Sequence, residues 1–446
     1  MRSGSQNSFA GSASLSMDGL QHDADIKAMP SRDHRDELDM KRSMNSVLAT
    51  MFLSALGFTI FIPMLWFYYQ NFSECSCSCS ITPTPLCTYC SFPNATAPDS
   101  NGACDCPQRD HCAFFLGYIV SGFPLGQFVF SPIFGWWGSK RNMKEVLIFS
   151  LVVNAVGYVM FSVVSTGWWL LVARFIIGMG GANTAVLRAY ASMASSDASR
   201  TATMAKMSAA QSFGFLLGPG LGFLFSFKQF SFSVAGLVIN QYTAAGYAAA
   251  FIIILNLIVL LLFFKEVKQD AGSAAHGYSV PEKMDKPAVL TLMLFFFSCV
   301  FVFSVYEGVA TQITENNYNW QWKLNGIYLT ACGAMSIIGF LALKPLENRI
   351  GSRMVMITAM SLAALSYIPL CDKIFPNTFV PLWAYVMSSL MLSFGYPTAQ
   401  AMSLVLFTKI VPSSKQGVMM GLLTSTGSVA RMYAPQHGAR CDAHVR

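Results

Sequence analysis

Two arginines in an apolar stretch, 168–190, are the residues best placed to bind a charged ligand. The stretch is long enough to cross a bilayer. As a helix it would turn about 100° per residue, so five of its residues fall within about 40° of one line. They are Arg174, Gly178, Gly181, Ala185 and Arg188. Either the arginines face a cavity and favour an anionic ligand, or they extend to the two membrane interfaces.

Glu307 is the only acidic residue that we place inside a confidently apolar stretch, 288–309. A carboxyl group removed from water favours its protonated form, so it could carry a proton. The alternative is a carboxylate that is packed and hydrogen-bonded, or exposed at the membrane interface. The residue type and position do not decide between these roles.

The segment 70–112 has the chemistry of an oxidising compartment. It contains two glycosylation sequons, at Asn71 and Asn94, and eight of the twelve cysteines. The cysteines are Cys75, Cys77, Cys79, Cys87, Cys90, Cys104, Cys106 and Cys112. We favour disulfides, although Cys-x-Cys pairs could also bind a soft metal. Eight cysteines allow about 105 pairings, and the sequence does not choose among them.

The composition predicts a polytopic, all-α membrane protein. Apolar residues make up 54% of the 446 and charged residues 11%, against about 25% charged in soluble domains. This excludes a soluble enzyme. Ten stretches can each cross a bilayer: 45–69, 113–135, 145–165, 168–190, 206–226, 243–264, 288–309, 325–343, 354–371 and 379–407. A weaker eleventh, 416–435, is rich in Gly, Ser and Thr, and we expect no twelfth span after it to complete the second bundle.

The distribution of Lys and Arg predicts a cytoplasmic N-terminus. With 1–44 inside as a disordered tail, the inner segments hold 20 basic residues and the outer loops 4, which fits the positive-inside rule. The segment 265–287 is then a cytoplasmic linker between a six-helix bundle, 45–264, and an incomplete bundle, 288–435. A divergent polar tail, 436–446, follows. The net charge of +7 therefore marks membrane-flanking loops and does not indicate nucleic-acid binding.

Small residues recur in the two halves in similar patterns. The fifth stretch combines a proline with glycines at steps of four, which predicts a kinked helix-contact stripe: Gly214, Gly218, Pro219 and Gly222. The eleventh stretch has the comparable set Gly417, Gly421, Ser425 and Pro435. Short polar loops at 138–144 and 346–353 also correspond, and the second contains Arg349, Gly351 and Arg353. Such pairs indicate two related halves, which secondary transporters often have.

These motifs resemble signatures of the major facilitator superfamily. Arg174-x-x-x-Gly178-x-Gly180, the Gly214-to-Gly222 pattern and the loop around Gly351 each stand at the expected stretch. Within that superfamily, segments such as Gly395-Tyr396-Pro397 are most similar to the lysosomal ceroid-lipofuscinosis-type branch. The resemblance covers about 45–435 and implies two helical bundles, alternating access and an endolysosomal location.

Three features depart from the family pattern. The first loop has Trp137-Gly138-Ser139 and lacks the usual acidic residue. In the second loop Asn348 replaces the usual aspartate, with Glu347 beside it. Both changes put the usual charged gating contacts in doubt. The resemblance also stops after Pro435, which suggests a C-terminally truncated form.

The resemblance implies a transporter of a small, anionic solute, such as chloride or an organic anion, with or without proton coupling. An anion channel on the same scaffold is one alternative. A non-transporting receptor that displays the cysteine-rich segment is another. The expected location is the lysosomal or endosomal membrane, with the plasma membrane as the alternative, and the oligomeric state is left open.

The sequence contains no motif of an enzyme or of a cofactor site. It has no nucleophile elbow, Walker loop or His-Glu-x-x-His. Histidine is nearly absent from the apolar stretches, which argues against a haem or metal core. We therefore expect no catalysis, metal or cofactor, and as partners the lipid bilayer and a small solute or ion.

If Glu307 carries a proton, Glu307→Gln should abolish the pH dependence of solute flux while leaving expression normal. The amide keeps the size of the side chain and cannot ionise. The measurement is flux in vesicles as a function of an imposed pH gradient. Coupling that is unchanged in the variant would remove Glu307 from the mechanism.

Overall fold

The computed structural model describes most of the two predicted bundles. The described residues are 34–61, 65, 68–69, 107–224, 231–234, 237–240, 243–266, 285–318, 320, 322–370 and 381–445. Most of the cysteine-rich segment, both sequons at Asn71 and Asn94, and most of the linker 265–287 lie outside them. Cys112 lies in the first helix after that segment.

Helices dominate both halves. The N-terminal half contains α1 (His34–Thr59), α2 (Pro107–Lys140), α3 (Met143–Val163), α4 (Gly167–Gly181), α5 (Asn183–Met193), α6 (Asp197–Leu224), β1 (Ser231–Val234), β2 (Leu237–Asn240) and α7 (Thr243–Phe263). The C-terminal half contains α8 (Lys286–Tyr318), α9 (Trp322–Ile350), α10 (Ser352–Leu365), α11 (Leu382–Ile410) and α12 (Gln416–Val445). Short 3-10 turns precede α11 and α12 at Ile368–Leu370 and Ser413–Lys415.

Six helical segments in the described part of the chain are long and apolar enough to cross a membrane. They are Phe115–Lys140, Met143–Val163, Gly167–Met193, Thr243–Phe263, Lys286–Tyr306 and Leu382–Ile410. Each coincides with a predicted span, and the all-α polytopic fold class is confirmed. The other predicted spans either form more polar helices, such as α6 and α12, or a shorter apolar helix, α10.

Large apolar side chains cover the outside of the bundle. Phe251 is 68% exposed and Leu341 is 72% exposed, which suits contact with lipid and would be unfavourable in water. Exposed aromatic residues also stand near the ends of the apolar segments: Tyr118, Trp136, Trp168 and Trp383. Inside, one apolar core includes Phe61, Tyr158 and Phe161, and a second includes Phe296, Leu392 and Phe407.

The structure differs from the sequence prediction at several places. Helix α1 begins at His34, so the end of the predicted disordered tail is helical. The fourth span is interrupted at Ala182, between α4 and α5. An antiparallel hairpin pairs Ser231 with Asn240, where a loop was expected. Helix α12 runs to Val445 and takes in most of the predicted polar tail.

Glycines allow α4 to pack directly on two neighbours. A Cβ on Gly178 would overlap the Phe123 carbonyl of α2, and one on Gly126 of α2 would overlap the Phe175 carbonyl. On another face of α4, a Cβ on Gly180 would lie 2.5 Å from the Asn154 Cβ of α3. The predicted close approach at Gly178 is therefore present, with the backbones in direct contact.

The two glycine stripes face different partners. Gly214, Gly218 and Gly222 of α6 pack on α1, where the added Cβ atoms would overlap atoms at Phe52, Thr59 and Ile60. Gly417 and Gly421 of α12 pack on α2, at the Gly135 and Ser131 carbonyls. The first stripe thus joins helices within one half, and the second joins the two halves.

Two tight turns between helices define one end of the bundle, which we call the motif-loop end. The first turn lies between α2 and α3 at 141–142, and the second lies between α9 and α10 at Gly351. Gly351 has a φ of 81°, which other residues rarely adopt. The predicted loop glycine is therefore required by its backbone conformation, while Arg349 and Arg353 beside it are exposed.

Gly178→Ala should lower the stability of the purified protein, because the added methyl group forces α4 away from α2. Overpacking of this kind costs about 1–3 kcal/mol. The matched control is Gly117→Ala on α2, where an added Cβ meets nothing within 4 Å. Thermal unfolding in detergent should show a lower midpoint for Gly178→Ala alone. Equal midpoints for the two variants would contradict the close contact.

Candidate substrate cavity between the two halves

A small cavity lies where helices of both halves meet. Its volume is about 40 Å³, room for about three water molecules at about 10–15 Å³ each. It is lined by Met51, Ser54, Ala55, Phe58, Phe123, Gln127, Asn154, Tyr158, Gly181, Asn183, Thr184, Gln211, Phe215 and Arg431. The lining includes an arginine and several amides but no carboxylate. A polar cavity of this kind inside an apolar bundle is where a solute pathway is expected.

Arg431 lines this cavity from the C-terminal half, and Arg188 of the N-terminal half reaches it through a lining residue, Gln211. Arg188 of α5 is 6% exposed, and its Nη2 donates a hydrogen bond to Gln211 Oε1 over 2.8 Å. Arg431 of α12 lines the cavity directly. Both charges thus lie beside one small cavity, where like charges repel each other. The Nε atoms of both arginines are buried without a hydrogen-bond partner.

Arg174 is enclosed by aromatic rings. It is 2% exposed, and its guanidinium carbon lies 5.1 Å from the ring centre of Phe61, 5.6 Å from Phe123 and 5.7 Å from Phe58. Cation–π attraction stabilises the charge there, although Nε and Nη1 lack hydrogen-bond partners. Arg174 therefore does not extend to a membrane interface, and two of the rings that enclose it also line the cavity.

Gln127 of α2 ties three helical segments together beside the cavity. Its Nε2 donates to the Gly181 carbonyl at 3.2 Å and to Thr184 Oγ1 at 3.3 Å. Its Oε1 accepts a hydrogen bond from Ser428 Oγ of α12 at 3.0 Å. The neighbouring Asn183, at the start of α5, is fully buried, and neither polar atom of its side chain has a partner.

The backbone of Glu307 is helical within α8, and its side chain is outside the described residues. The residue before it, Tyr306, belongs to a polar cluster in the C-terminal half. The Tyr306 hydroxyl is hydrogen-bonded to Tyr328 and to Ser389. Sequence reasoning pointed to position 307 and did not find this tyrosine cluster.

Glu347 connects the two halves at the motif-loop end. Across the interface, Thr201 of α6 donates to its Oε1 over 3.1 Å. Within its own half, the carboxylate binds Lys409 at 3.0 Å, Lys344 at 3.2 Å and Ser352 at 2.7 Å. Asn348 in the second loop cannot make the charged contact of the usual aspartate. The adjacent Glu347 makes charged contacts there instead.

The first loop, at 138–144, lacks the acidic residue of the family pattern, and a close backbone contact lies beside it. Gly135 of α2 and Gly417 of α12 meet there, and Ser139 Oγ is turned back to the Gly135 carbonyl at 2.8 Å. The same two helices stay together farther along, where Ser425 Oγ donates to the Phe128 carbonyl at 2.7 Å. This interface therefore runs past the cavity towards the opposite end of the bundle.

The sequence model of the Major Facilitator Superfamily matches residues 47–435. The chain belongs to this superfamily. The predicted resemblance is confirmed, and members of the superfamily are membrane transporters. The match includes both predicted halves, the arginines of the cavity and the loop at Gly351.

Two relatives with different names are similar to this chain in sequence. The chain is 26% identical to Major facilitator superfamily domain-containing protein 8 of Xenopus laevis, covering 90% of this chain and 86% of the relative. It is 25% identical to the class G tetracycline resistance protein of Vibrio anguillarum, covering 73% and 80%. The names alone do not define a common substrate.

Solved transporter structures share the fold. The human organic anion transporter MFSD10 superposes with a TM-score of 0.68 at 19% identity, covering 90% of this chain and 93% of that one. The proton:xylose symporter XylE gives 0.66 at 12% identity, covering 90% of each. At these identities the likeness concerns the fold.

The contacts of Glu347 predict how a variant responds to pH. Burial raises the pKa of this carboxyl, but hydrogen bonds from Ser352, Lys409, Thr201 and Lys344 outweigh it and lower the pKa from 4.5 to about 2. The ionised group therefore stabilises the fold above about pH 4.5, and that stabilisation is lost as the pH falls towards 2.

Glu347→Gln should accordingly lower the thermal midpoint by the same amount at pH 8 and at pH 5. The difference from the unmodified protein should shrink only below about pH 4.5. Glu145→Gln is the matched control, because Glu145 is exposed and lies 3.8 Å from the exposed Arg141, a pair of little energetic weight. A difference that already disappears between pH 7 and pH 5 would contradict the lowered pKa.

Proposed function

We propose that this protein moves a small anionic solute across the membrane by alternating access. The observation that carries the proposal is a cavity whose described lining contains Arg431 and no carboxylate, and whose lining residue Gln211 is hydrogen-bonded to the buried Arg188. A buried cation without a counter-charge is costly. An anion that enters the cavity supplies that charge, whereas a cation would add to the repulsion.

The contacts between the halves suit a rocking motion. The α2–α12 interface is built from small residues and single hydrogen bonds, such as that from Ser425 to the Phe128 carbonyl. Between α6 and α9, a Cβ on Gly333 would meet the Leu216 side chain. At the motif-loop end, the described ionic contacts of Glu347 lie within one half and a neutral hydroxyl crosses to the other. Parting the halves there breaks this neutral hydrogen bond and the one that Arg200 of α6 donates to the Thr408 carbonyl of α11 over 3.5 Å, and it leaves the ion pairs of Glu347 intact.

We place the protein in the lysosomal or endosomal membrane with a cytoplasmic N-terminus. The excess of Lys and Arg in alternate loops supports this orientation. The cysteines and sequons of 70–112 then lie in the oxidising lumen, where disulfides and glycans form. The similarity to the lysosomal branch supports the location, and Glu307 is the proposed proton-carrying group if the transport is coupled.

The test is uptake of labelled chloride, sulfate, phosphate and succinate by proteoliposomes that contain the full chain. A carrier should show counterflow, because unlabelled anion inside binds the carrier after the label is released and returns it loaded to the outside, which accelerates uptake of the label. Protein-free liposomes set the background.

An electrical current without counterflow would show that the protein is an anion channel and not a carrier. If none of these four anions moves, the proposal of anion transport is wrong. In that case, loss of a binding partner on deletion of 70–112 would favour the receptor alternative.

A further inference from the structure

The geometry points to a binding site for a divalent oxyanion between Arg188 and Arg431, in contact with both halves at once. The inference rests on the proposed function, because it names the substrate class of the same cavity. A dicarboxylate, sulfate or hydrogen phosphate has the required chemistry. Neither Arg431 nor the bridging arrangement was found from the sequence.

Charge balance selects a divalent ligand. Arg188 and Arg431 both bury part of their guanidinium groups, and no described carboxylate forms an ion pair with either. Arg188 is held by Gln211, which is neutral. Two positive charges in one apolar region call for two negative charges, and a single halide supplies only one.

The available donors match an oxyanion. The Nε atoms of Arg188 and Arg431 are buried and unpaired, and guanidinium groups present their N–H donors as planar forks that fit carboxylate or phosphate oxygens. Asn183, which lines the same cavity, is fully buried with an unpaired amide nitrogen. These groups have lost water and have no protein partner, so a bound oxyanion would satisfy them.

The position of the arginines couples binding to the contact between the halves. Arg188 belongs to α5 and Arg431 to α12, so their repulsion pushes the halves apart when the site is empty. A bound dianion attracts both, and it therefore favours the conformation in which the halves meet around it. A monovalent anion would leave one charge uncompensated and give a weaker effect.

The experiment measures binding to the full chain in detergent at pH 7.5. Sulfate, hydrogen phosphate, succinate and chloride are titrated at constant ionic strength, with the thermal midpoint as a screen and calorimetry for Kd. At least one dianion should raise the midpoint in a saturable way, and chloride should do so more weakly. Arg188→Gln and Arg431→Gln should each weaken that dianion about tenfold or more.

Two controls separate binding from folding. Arg141→Gln, at an exposed arginine of the motif-loop end, should leave the Kd unchanged. Arg188→Lys should keep part of the affinity for the dianion, since the positive charge remains while the planar set of guanidinium N–H donors is lost. Without added anion, Arg188→Gln and Arg431→Gln should not lower the midpoint, because each removes one of two repelling charges.

Three results would overturn the inference. They are no saturable binding of any of the three dianions, dianion affinity that is unchanged in both glutamine variants, or chloride binding at least as tightly as every dianion. None of these depends on flux. Counterflow with no dianion binding would retain the proposed function and reject this site. Dianion binding without any flux would retain this site and reject the proposed function.

Discussion

The close approach of helix backbones at α2 is the constraint on which the rest of the structure depends. This helix contacts α4 at Gly126 and Gly178, and α12 at Gly135 and Gly417. At each place a side chain as small as alanine would separate the helices. Because α2 belongs to one half and α12 to the other, these contacts fix both the packing within the N-terminal half and the alignment of the two halves. The cavity is what remains between helices held in this way.

The buried charges follow from that packing. Arg174 is enclosed by three phenylalanines, and its position depends on α2 lying against α4. Arg431 reaches the cavity because α12 lies along α2, and Arg188 is hydrogen-bonded to Gln211 at the same cavity. Glu347 is different, since several hydrogen bonds surround it and keep it ionised. The half-buried carboxylate of Glu347 at the motif-loop end is thus fully hydrogen-bonded, whereas the Nε atoms of Arg188 and Arg431 beside the cavity have no partner.

The sequence predicted those parts of the fold that depend on local pattern. Long apolar stretches predicted six of the spans, and the motif around Gly351 predicted a turn that needs its positive φ. Glycine spacing predicted close helix contacts at Gly178 and Gly214, but not which helix would lie opposite. That choice depends on tertiary packing, as the different partners of the α6 and α12 stripes show.

The candidate site was harder to predict. Whether Arg174 reaches a membrane interface or a ring of phenylalanines depends on residues more than 50 positions away. Arg431 lies in the weak eleventh span, where Gly, Ser and Thr hide the apolar pattern. Gln127, Asn183 and Gln211 resemble many polar residues in the sequence, and only the fold shows that they surround one cavity. The carboxylate at Glu347 was visible, but its partners come from distant segments.

The exposed aromatic residues on α2 have a consequence for how far the protein projects from the membrane. Tyr118 and Trp136 are both exposed, and at 1.5 Å per residue they stand about 27 Å apart along the helix. This is close to the thickness of the hydrocarbon core, about 30 Å, and amphipathic rings favour its two boundaries. Helix α2 begins at Pro107, so its first turns rise about 16 Å beyond the Tyr118 boundary. The chain thus enters the membrane domain from a helical stalk, which lifts the attachment point of the preceding segment clear of the lipid headgroups.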